Sequence, residues 1–254
     1  MNKQKVLRVI EENQIFLLKP SDFDGRHMTS AEMQAIFKYF NAFWQYPDKP
    51  RAEQPHALLK SELHSDGFIA CKEVLDYPAL CAIFANEMLK VIKMNINPAS
   101  LARIGVVTSP AYSAISLGTG VAQLLSEQYN PGIKYVIAEK DQNGNPTVIR
   151  GGLNPELKTL VINELMTTRD GSTFETKNAV LTCNGDNPAP TVIEPAFILV
   201  HRSTDHSLAD GSAVKFVFHL NIENYQPDAC PYCSAGSKAL KPKEGKNWEM
   251  YFKN

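Results

Sequence analysis

The apolar positions of this chain change period along its length, and each change predicts a change of element. Over residues 4–18, Val6, Val9, Ile10 and Leu17 recur near one face of a helix, and polar turn formers follow at 20–25. Thr29 with Glu32 has the pattern of a capping box, and Met33, Ile36, Phe37, Phe40, Phe43 and Trp44 continue at helical spacing until Pro47. That aromatic stripe reads as core. The proline-rich stretch 46–55 reads as a linker. Pro78 suits a first helical turn, and Leu80, Cys81, Phe84, Met88 and Ile92 supply a buried face that runs to Met94.

From residue 104 onward, short apolar runs of the strand type take over. IGVV at 104–107 fits a buried strand, a small-residue turn follows at 108–113, and Leu117, Val121, Leu124 and Leu125 mark a helix. YVIA at 135–138 is a further strand, which an Asn143-Gly144 turn returns antiparallel as TVI at 147–149. TLVI at 159–162 reads as strand, 167–173 as polar loop and 174–181 as helix, and the runs at 196–200 and 214–220 bring the total to about five strands. This alternation predicts an α/β fold: a mainly parallel five-stranded sheet flanked by helices, with N-terminal helical additions. Residues 1–60 read as a helical extension packed on a core domain at 61–254. Ligands of such sheets bind beyond the carboxyl ends of the strands, which sets the loops 108–113, 163–173 and 201–206 along one rim.

Composition narrows the partners. In 254 residues, 26 basic and 27 acidic side chains nearly cancel, which argues against a nucleic-acid or membrane-binding face and leaves room for a small charged ligand. No apolar run approaches the ~20 residues that span a bilayer, and charges break the first 14 residues where a signal peptide needs an apolar stretch. The expected location is therefore cytoplasmic. Cys71, Cys81, Cys183, Cys230 and Cys233 are odd in number and dispersed, and read as reduced thiols. Cys230 and Cys233 form a C-P-Y-C pair that is half of a tetrahedral zinc site. With no second close pair it reads as a structural turn, and no metal ligand is assigned. His64 next to Ser65 and Asp66 lacks the G-x-S-x-G context of a hydrolase and reads as a loop residue of a ligand pocket; His201 and His206 read as surface or rim residues.

A loop of small and hydroxylated residues between a strand and a helix N-terminus presents amides and a positive dipole end to a phosphate. MTTRDGST at 166–173 has that composition, and Glu164 stands just upstream, where a carboxylate accepts hydrogen bonds from sugar hydroxyls. The sequence LVINELMTTRDGST at 160–173 resembles the phosphoribosyl-diphosphate motif of the type I phosphoribosyltransferases. Four further stretches resemble the orotate-using branch of that family, in the same order. LHSDG at 63–67 with Phe68 is similar to its orotate-side motif, and VVTSPAYSAISLGTGVA at 106–122 to its diphosphate-binding loop and helix. AEKDQNGNPTVIRGG at 138–152 is similar to its mobile hairpin, and FILVHRS at 197–203 to the strand whose terminal Arg grips the orotate carboxylate. CPYCSAGSKALKPKEG at 230–245 resembles the tail of a bacterial and archaeal subgroup.

The resemblance implies a type I phosphoribosyltransferase-like fold with a small hood, and transfer of a phosphoribosyl group to a pyrimidine base, orotate above others, with release of diphosphate. It places Asn163, Glu164, Thr167, Thr168, Gly171, Ser172, Thr173, Ser109, Ala111 and Tyr112 around phosphoribosyl diphosphate, and His64, Ser65, Phe68, Thr168 and Arg202 around the base. Glu164 and Lys140 become the catalytic candidates. Mg²⁺ bridging the diphosphate and ribose oxygens is the implied cofactor, and a homodimer, in which the hairpin's Lys140 closes over the partner's site, the implied assembly. Asn163 stands where the first acid of the motif is usual, Arg169-Asp170 replaces and lengthens the following Gly, and 21–55 looks like an insertion. The same residues therefore leave two alternatives: a non-catalytic nucleotide-binding or regulatory relative, and an enzyme for another base. If Asn163 is a weakened ribose ligand, Asn163→Asp raises turnover.

Overall fold

The structure, a computed structural model, describes residues 1–47, 52–59, 61–140, 146–148 and 152–252. The N-terminal third contains α1 (Lys3–Glu11), α2 (Ser30–Tyr39), β1 (Phe43–Gln45), β2 (His56–Leu58), β3 (His64–Ser65), β4 (Gly67–Ile69), α3 (Lys72–Leu75) and α4 (Pro78–Asn95). Then come α5 (Pro98–Leu101), β5 (Ile104–Pro110), α6 (Ile115–Gln128), β6 (Lys134–Lys140), β7 (Pro146–Val148), β8 (Lys158–Met166) and α7 (Ser172–Thr182). The chain closes with β9 (Thr191–His201), β10 (Val214–His219), β11 (Asn224–Tyr225), α8 (Pro231–Ser234), β12 (Ala239–Leu240) and α9 (Asn247–Met250).

The main sheet has the order β10-β9-β8-β5-β6-β7, with five parallel strands and β7 antiparallel at one edge. β7 is the return strand of the expected hairpin, but Asn143-Gly144 and Ile149 lie outside the described residues. Strand order places β8 and β5 centrally, and their apolar runs are buried on both faces: every residue of β5 is buried. Leu160 and Ile162 of β8 pack with Phe84, Met88, Leu117 and Val121 of α4 and α6, while Val161 packs with Phe174 of α7 on the opposite face. The carboxyl ends of β5, β8 and β9 thus carry the loops after 110, 166 and 201 to one rim, as the strand pattern predicts.

A smaller sheet, β11-β3-β2-β12, and the β1–β4 pair form a hood beside that rim. Because β2 pairs with β3 and with β12, the hood joins residues from both sides of position 60 and from the C-terminal tail. The N-terminal helices are fastened to α4 by buried polar contacts: Met28 N donates to Glu87 Oε2 at 2.9 Å, and Lys90 Nζ donates to the carbonyls of Phe23 and Arg26.

Three boundaries differ from the periodicity. The first helix stops at Glu11 and a 3₁₀ turn takes Ile15–Leu17. The second stops at Tyr39 because Asn41 adopts φ 51° and the amides of Asn41 and Ala42 return to the carbonyls of Lys38 and Phe37, a Schellman-type stop. Phe43 and Trp44 consequently belong to β1, although they remain in the core. Finally, β8 runs past Ile162 to Met166 and α7 begins at Ser172, so the polar loop is only 167–171.

Candidate active site

The extended β8 decides how its two polar residues are used. Neighbouring strand residues face opposite sides, so Asn163 turns to the α7 face and Glu164 away from it. Asn163 is buried, its Nδ2 donating to the carbonyl of Leu165 and to Ser172 Oγ and Thr173 Oγ1 at 2.9–3.0 Å, while its Oδ1 accepts from the Glu164 amide. The expectation that Asn163 is a ribose ligand is corrected here: its amide pins the strand end to the first turn of α7. Thr173 likewise faces Asn163 and is 2% exposed, so its side chain belongs to that brace and not to the cleft.

Glu164 lines a cavity of about 410 Å³ with Cys71, Ser113, Lys243 and Trp248. Its Oε2 is sealed from solvent without a hydrogen-bond partner among the described residues. Burial pushes the carboxyl up to about 7, against the pull of the backbone amides and of the Lys243 charge. An adjoining cavity of about 360 Å³ is lined by Leu58, Thr167, Thr168, Arg202 and Asn224. Phe68, Ile69, Leu165 and Lys243 line both cavities, which are therefore compartments of one cleft.

Arg202 forms the far end of that cleft. It leaves β9 beside Met166, whose carbonyl accepts from the Arg202 amide, and the residue is 3% exposed. Its side-chain bonds go to neutral groups: the Gly67 carbonyl, Ser65 Oγ and Asn224 Oδ1, at 2.9–3.3 Å. Nε has no partner, and no carboxylate lies within ion-pair distance of it among the described residues. Desolvation pulls the guanidinium down to about 10, and the charge of Asp66 only partly offsets it. A buried cation without a counter-ion is costly unless a ligand supplies one.

Phe68 lines the cleft, Ser65 is buried behind it as a partner of Arg202, and His64 does not line it. On β3 it alternates with Ser65, so while Ser65 faces Arg202, the His64 ring turns away, its Nδ1 3.0 Å from His56 Nε2 and 3.3 Å from Cys233 Sγ. Ser109 is also internal. Its Oγ shares a 2.6 Å hydrogen bond with Tyr135, whose ring lies so close to α6 that a Cβ on Gly118 would stand 2.3 Å from it. The next residues, Ala111 and the largely exposed Tyr112, lead to Ser113 in the Glu164 cavity. Lys140 is exposed at the end of β6, next to residues outside the described set. Arg169 is absorbed by the neighbouring loop: Nη2 donates to the Leu208 carbonyl, and its own carbonyl accepts from the Ala209 amide. Of the two histidines expected at the surface or rim, His201 is fully buried and stacks on Phe216, whereas His206 is exposed. The tail residues Lys241, Pro242, Lys243 and Trp248 complete the cleft wall; a mixed-charge tail gives no period or spacing by which the sequence could have shown it.

A parallel sheet with a hood over its carboxyl edge, a hydroxyl-rich loop at a helix start and opposite charges at the ends of one cleft define a phosphoribosyltransferase-type molecule. No family model matches the chain. It is 32% identical over 182 residues to an orotate phosphoribosyltransferase of Chlorobium phaeobacteroides, covering 70% of this chain and 82% of that one. The orotate phosphoribosyltransferase of Acidithiobacillus ferrooxidans is 29% identical over 217 residues, covering 85% and 97%. In fold, the crystal structure of the Aeropyrum pernix orotate phosphoribosyltransferase superposes with a TM-score of 0.50 at 17% identity, over 73% of this chain and 92% of that one. The Leishmania donovani UMP synthase gives 0.51 at 16% identity, but the match spans 37% of that longer protein. The chain belongs to the orotate phosphoribosyltransferase family of type I phosphoribosyltransferases, and so to a family of glycosyl-transferring enzymes.

Proposed function

We propose that the cleft joins orotate to the 5-phosphoribosyl group of phosphoribosyl diphosphate, releasing diphosphate. The observation that carries this reading is Arg202, a buried guanidinium whose partners are all neutral and whose Nε faces no acceptor. A planar carboxylate on the base satisfies it with parallel, charge-assisted hydrogen bonds. Phe68 and Leu165 give the ring an apolar bed between the two polar ends. The 5-phosphate is received by Thr167, Thr168 and Gly171 at the start of α7, and Ser172 adds a hydroxyl braced by Asn163.

Glu164 accepts hydrogen bonds from the ribose hydroxyls. As the bond from C1 to diphosphate breaks, positive charge grows on the sugar, and a nearby carboxylate in a dry site favours that charge distribution. Lys243 and Ser113, on the same wall, face the departing diphosphate. Mg²⁺ would fit this set as an ion carried largely by substrate oxygens and water, with Glu164 as the carboxylate the cleft wall would offer it. Its chemistry there would be to neutralise charge on the leaving diphosphate. The hairpin bearing Lys140 is assigned to closure over the site of a second subunit.

Steady-state kinetics with Arg202→Gln test the base end. The KM for orotate is expected to rise about ten- to a hundredfold, as for loss of a charge-assisted pair, while the KM for phosphoribosyl diphosphate changes little. Equal weakening toward both substrates contradicts the assignment.

A further inference from the structure

The C-P-Y-C turn finds its missing partners in the hood. α8 is a four-residue turn that holds Cys230 and Cys233, and the two side chains converge on His56 of β2 and His64 of β3. One ligand atom from each of the four residues lies within 4.8 Å of all the others, and His56, His64 and Cys230 are buried. His56 Nε2 is 3.5 Å from each sulfur; His64 Nδ1 is 3.3 Å from Cys233 Sγ and 3.0 Å from His56 Nε2. Tetrahedral zinc, with Zn–N of about 2.0–2.1 Å and Zn–S of about 2.3 Å, sets its ligands about 3.3 Å (N to N), 3.6 Å (N to S) and 3.8 Å (S to S) apart. The four spacings just given differ from these by about 0.1–0.3 Å, and the remaining pairs of ligand atoms lie within 4.8 Å of one another.

The surroundings prepare His56 as a ligand. Ser237 Oγ donates to the Gln54 carbonyl at 2.5 Å, so toward His56 Nδ1, 2.8 Å away, it acts as acceptor. That places the ring proton on Nδ1 and leaves the lone pair of Nε2 aimed into the cluster, as in zinc sites whose histidines are oriented by an outer hydrogen bond. Without an ion, the cluster offers only one good hydrogen bond, between the two rings, and leaves two thiols with weak contacts.

We propose that His56 Nε2, His64 Nδ1, Cys230 Sγ and Cys233 Sγ bind one structural Zn²⁺. Two sulfurs and two imidazoles suit zinc by softness and geometry, and four protein ligands leave no open position for substrate. Binding releases the two thiol protons. The ion fastens the tail to β2 and β3, next to Ser65, which holds Arg202, and just before the segment from Lys241 to Trp248 that walls the cleft. Zinc here would shape the substrate cleft from outside it.

The test is metal analysis of the full chain purified under reductant without chelator, paired with Co²⁺ reconstitution of chelator-treated protein. About one zinc per chain is expected, with thiolate-to-cobalt charge transfer and tetrahedral visible bands on reconstitution. Cys233→Ser and His64→Asn should lose most of the zinc and these bands, Cys183→Ser should keep both, and chelation should lower the Tm of the wild type. Should a variant fold poorly, the wild-type metal content and cobalt spectrum still decide. Metal-free wild type whose Tm ignores chelator and which gives no cobalt–thiolate band overturns the proposal; iron in stoichiometric amount overturns the choice of ion; zinc retained by Cys233→Ser and His64→Asn overturns the ligand set.

Discussion

Asn163 braces the end of β8 against the first turn of α7 without facing the cleft itself. Its hydrogen bonds to Leu165, Ser172, Thr173 and the Glu164 amide use up both ends of the carboxamide. Asn163→Asp is therefore expected to leave turnover unchanged or lower it, since a buried carboxylate loses the donors that now reach the Leu165 carbonyl and the two hydroxyls. Asn163→Ala should cost about 2–3 kcal/mol of stability in denaturant titration, from several buried groups losing partners. A rise in kcat for Asn163→Asp would restore the ribose-ligand reading. Glu164 presents the opposite case, a side chain whose burial is unfavourable in the free protein. Its folded pKa of about 7 lies above the unfolded carboxylate value of about 4.3. The folded state thus holds a proton that the unfolded chain has lost, and this stabilisation, complete below about pH 4.3, fades as pH rises through 7. Two outcomes follow for Glu164→Gln at pH 8: Tm rises by about 2–4 °C, equivalent to about 1 kcal/mol after allowing for partial exposure, while turnover falls at least tenfold. In the wild type, kcat/KM for phosphoribosyl diphosphate should fall as pH drops below about 7, when the acceptor becomes a neutral acid. A flat profile between pH 6 and 8 would remove Glu164 from the ribose.

At the scale of elements, hydrophobic period identifies what is long and regular and misses where it ends. α4, β5 and α6 lie where the apolar spacing puts them, because burial on one or both faces fixes their pattern. The aromatic stripe ran past the end of α2 into β1 because Phe43 and Trp44 are core residues in either conformation; the stop is made by Asn41 and backbone hydrogen bonds, which leave little trace in hydropathy. β8 similarly outlasts its apolar run, since pairing with β9 continues through Asn163, Leu165 and Met166. That extension is what separates Asn163 from Glu164, so an error of four residues in a boundary changed the role of a site residue. The start of α2, by contrast, was legible: Thr29 and Glu32 form the expected capping box, and Arg26 adds paired hydrogen bonds of 2.7 and 2.9 Å to the same buried carboxylate. Glu32→Ala removes the cap and strands Arg26, and is expected to cost about 2–3 kcal/mol, read as a lower urea midpoint with unchanged m-value and unchanged orotate KM. A change in orotate KM comparable to that of Arg202→Gln would show that the N-terminal helices act on the cleft.

Across the whole molecule, the cleft is assembled from pieces far apart in sequence: Phe68 from the hood, with Ser65 behind it holding Arg202, Glu164 and Thr168 from the centre, Arg202 from β9 and Lys243 from the tail. Motif order in the sequence located most of these, because strand-to-helix loops of a parallel sheet gather at one rim. The tail's share and the pairing of Cys230 and Cys233 with two histidines about 170 residues away were illegible, since tertiary contact alone creates them. β7 pairs with β6 at the edge of the main sheet, and from the family-like hairpin that contains them we expect a homodimer; light scattering giving a mass near twice 28.2 kDa at micromolar concentration supports it, and a monomer at all concentrations contradicts it. In the proposed reaction Glu164 and Arg202 hold the two halves, ribose and base. Its most direct test is the product: the full chain incubated with phosphoribosyl diphosphate, Mg²⁺ and an equal mixture of orotate, uracil, adenine and hypoxanthine, followed by mass analysis of the nucleotides formed and assay of diphosphate. Orotidine monophosphate is expected as the dominant nucleotide with equimolar diphosphate; a different nucleotide in excess, or none at all from protein that retains its fold, would contradict this assignment.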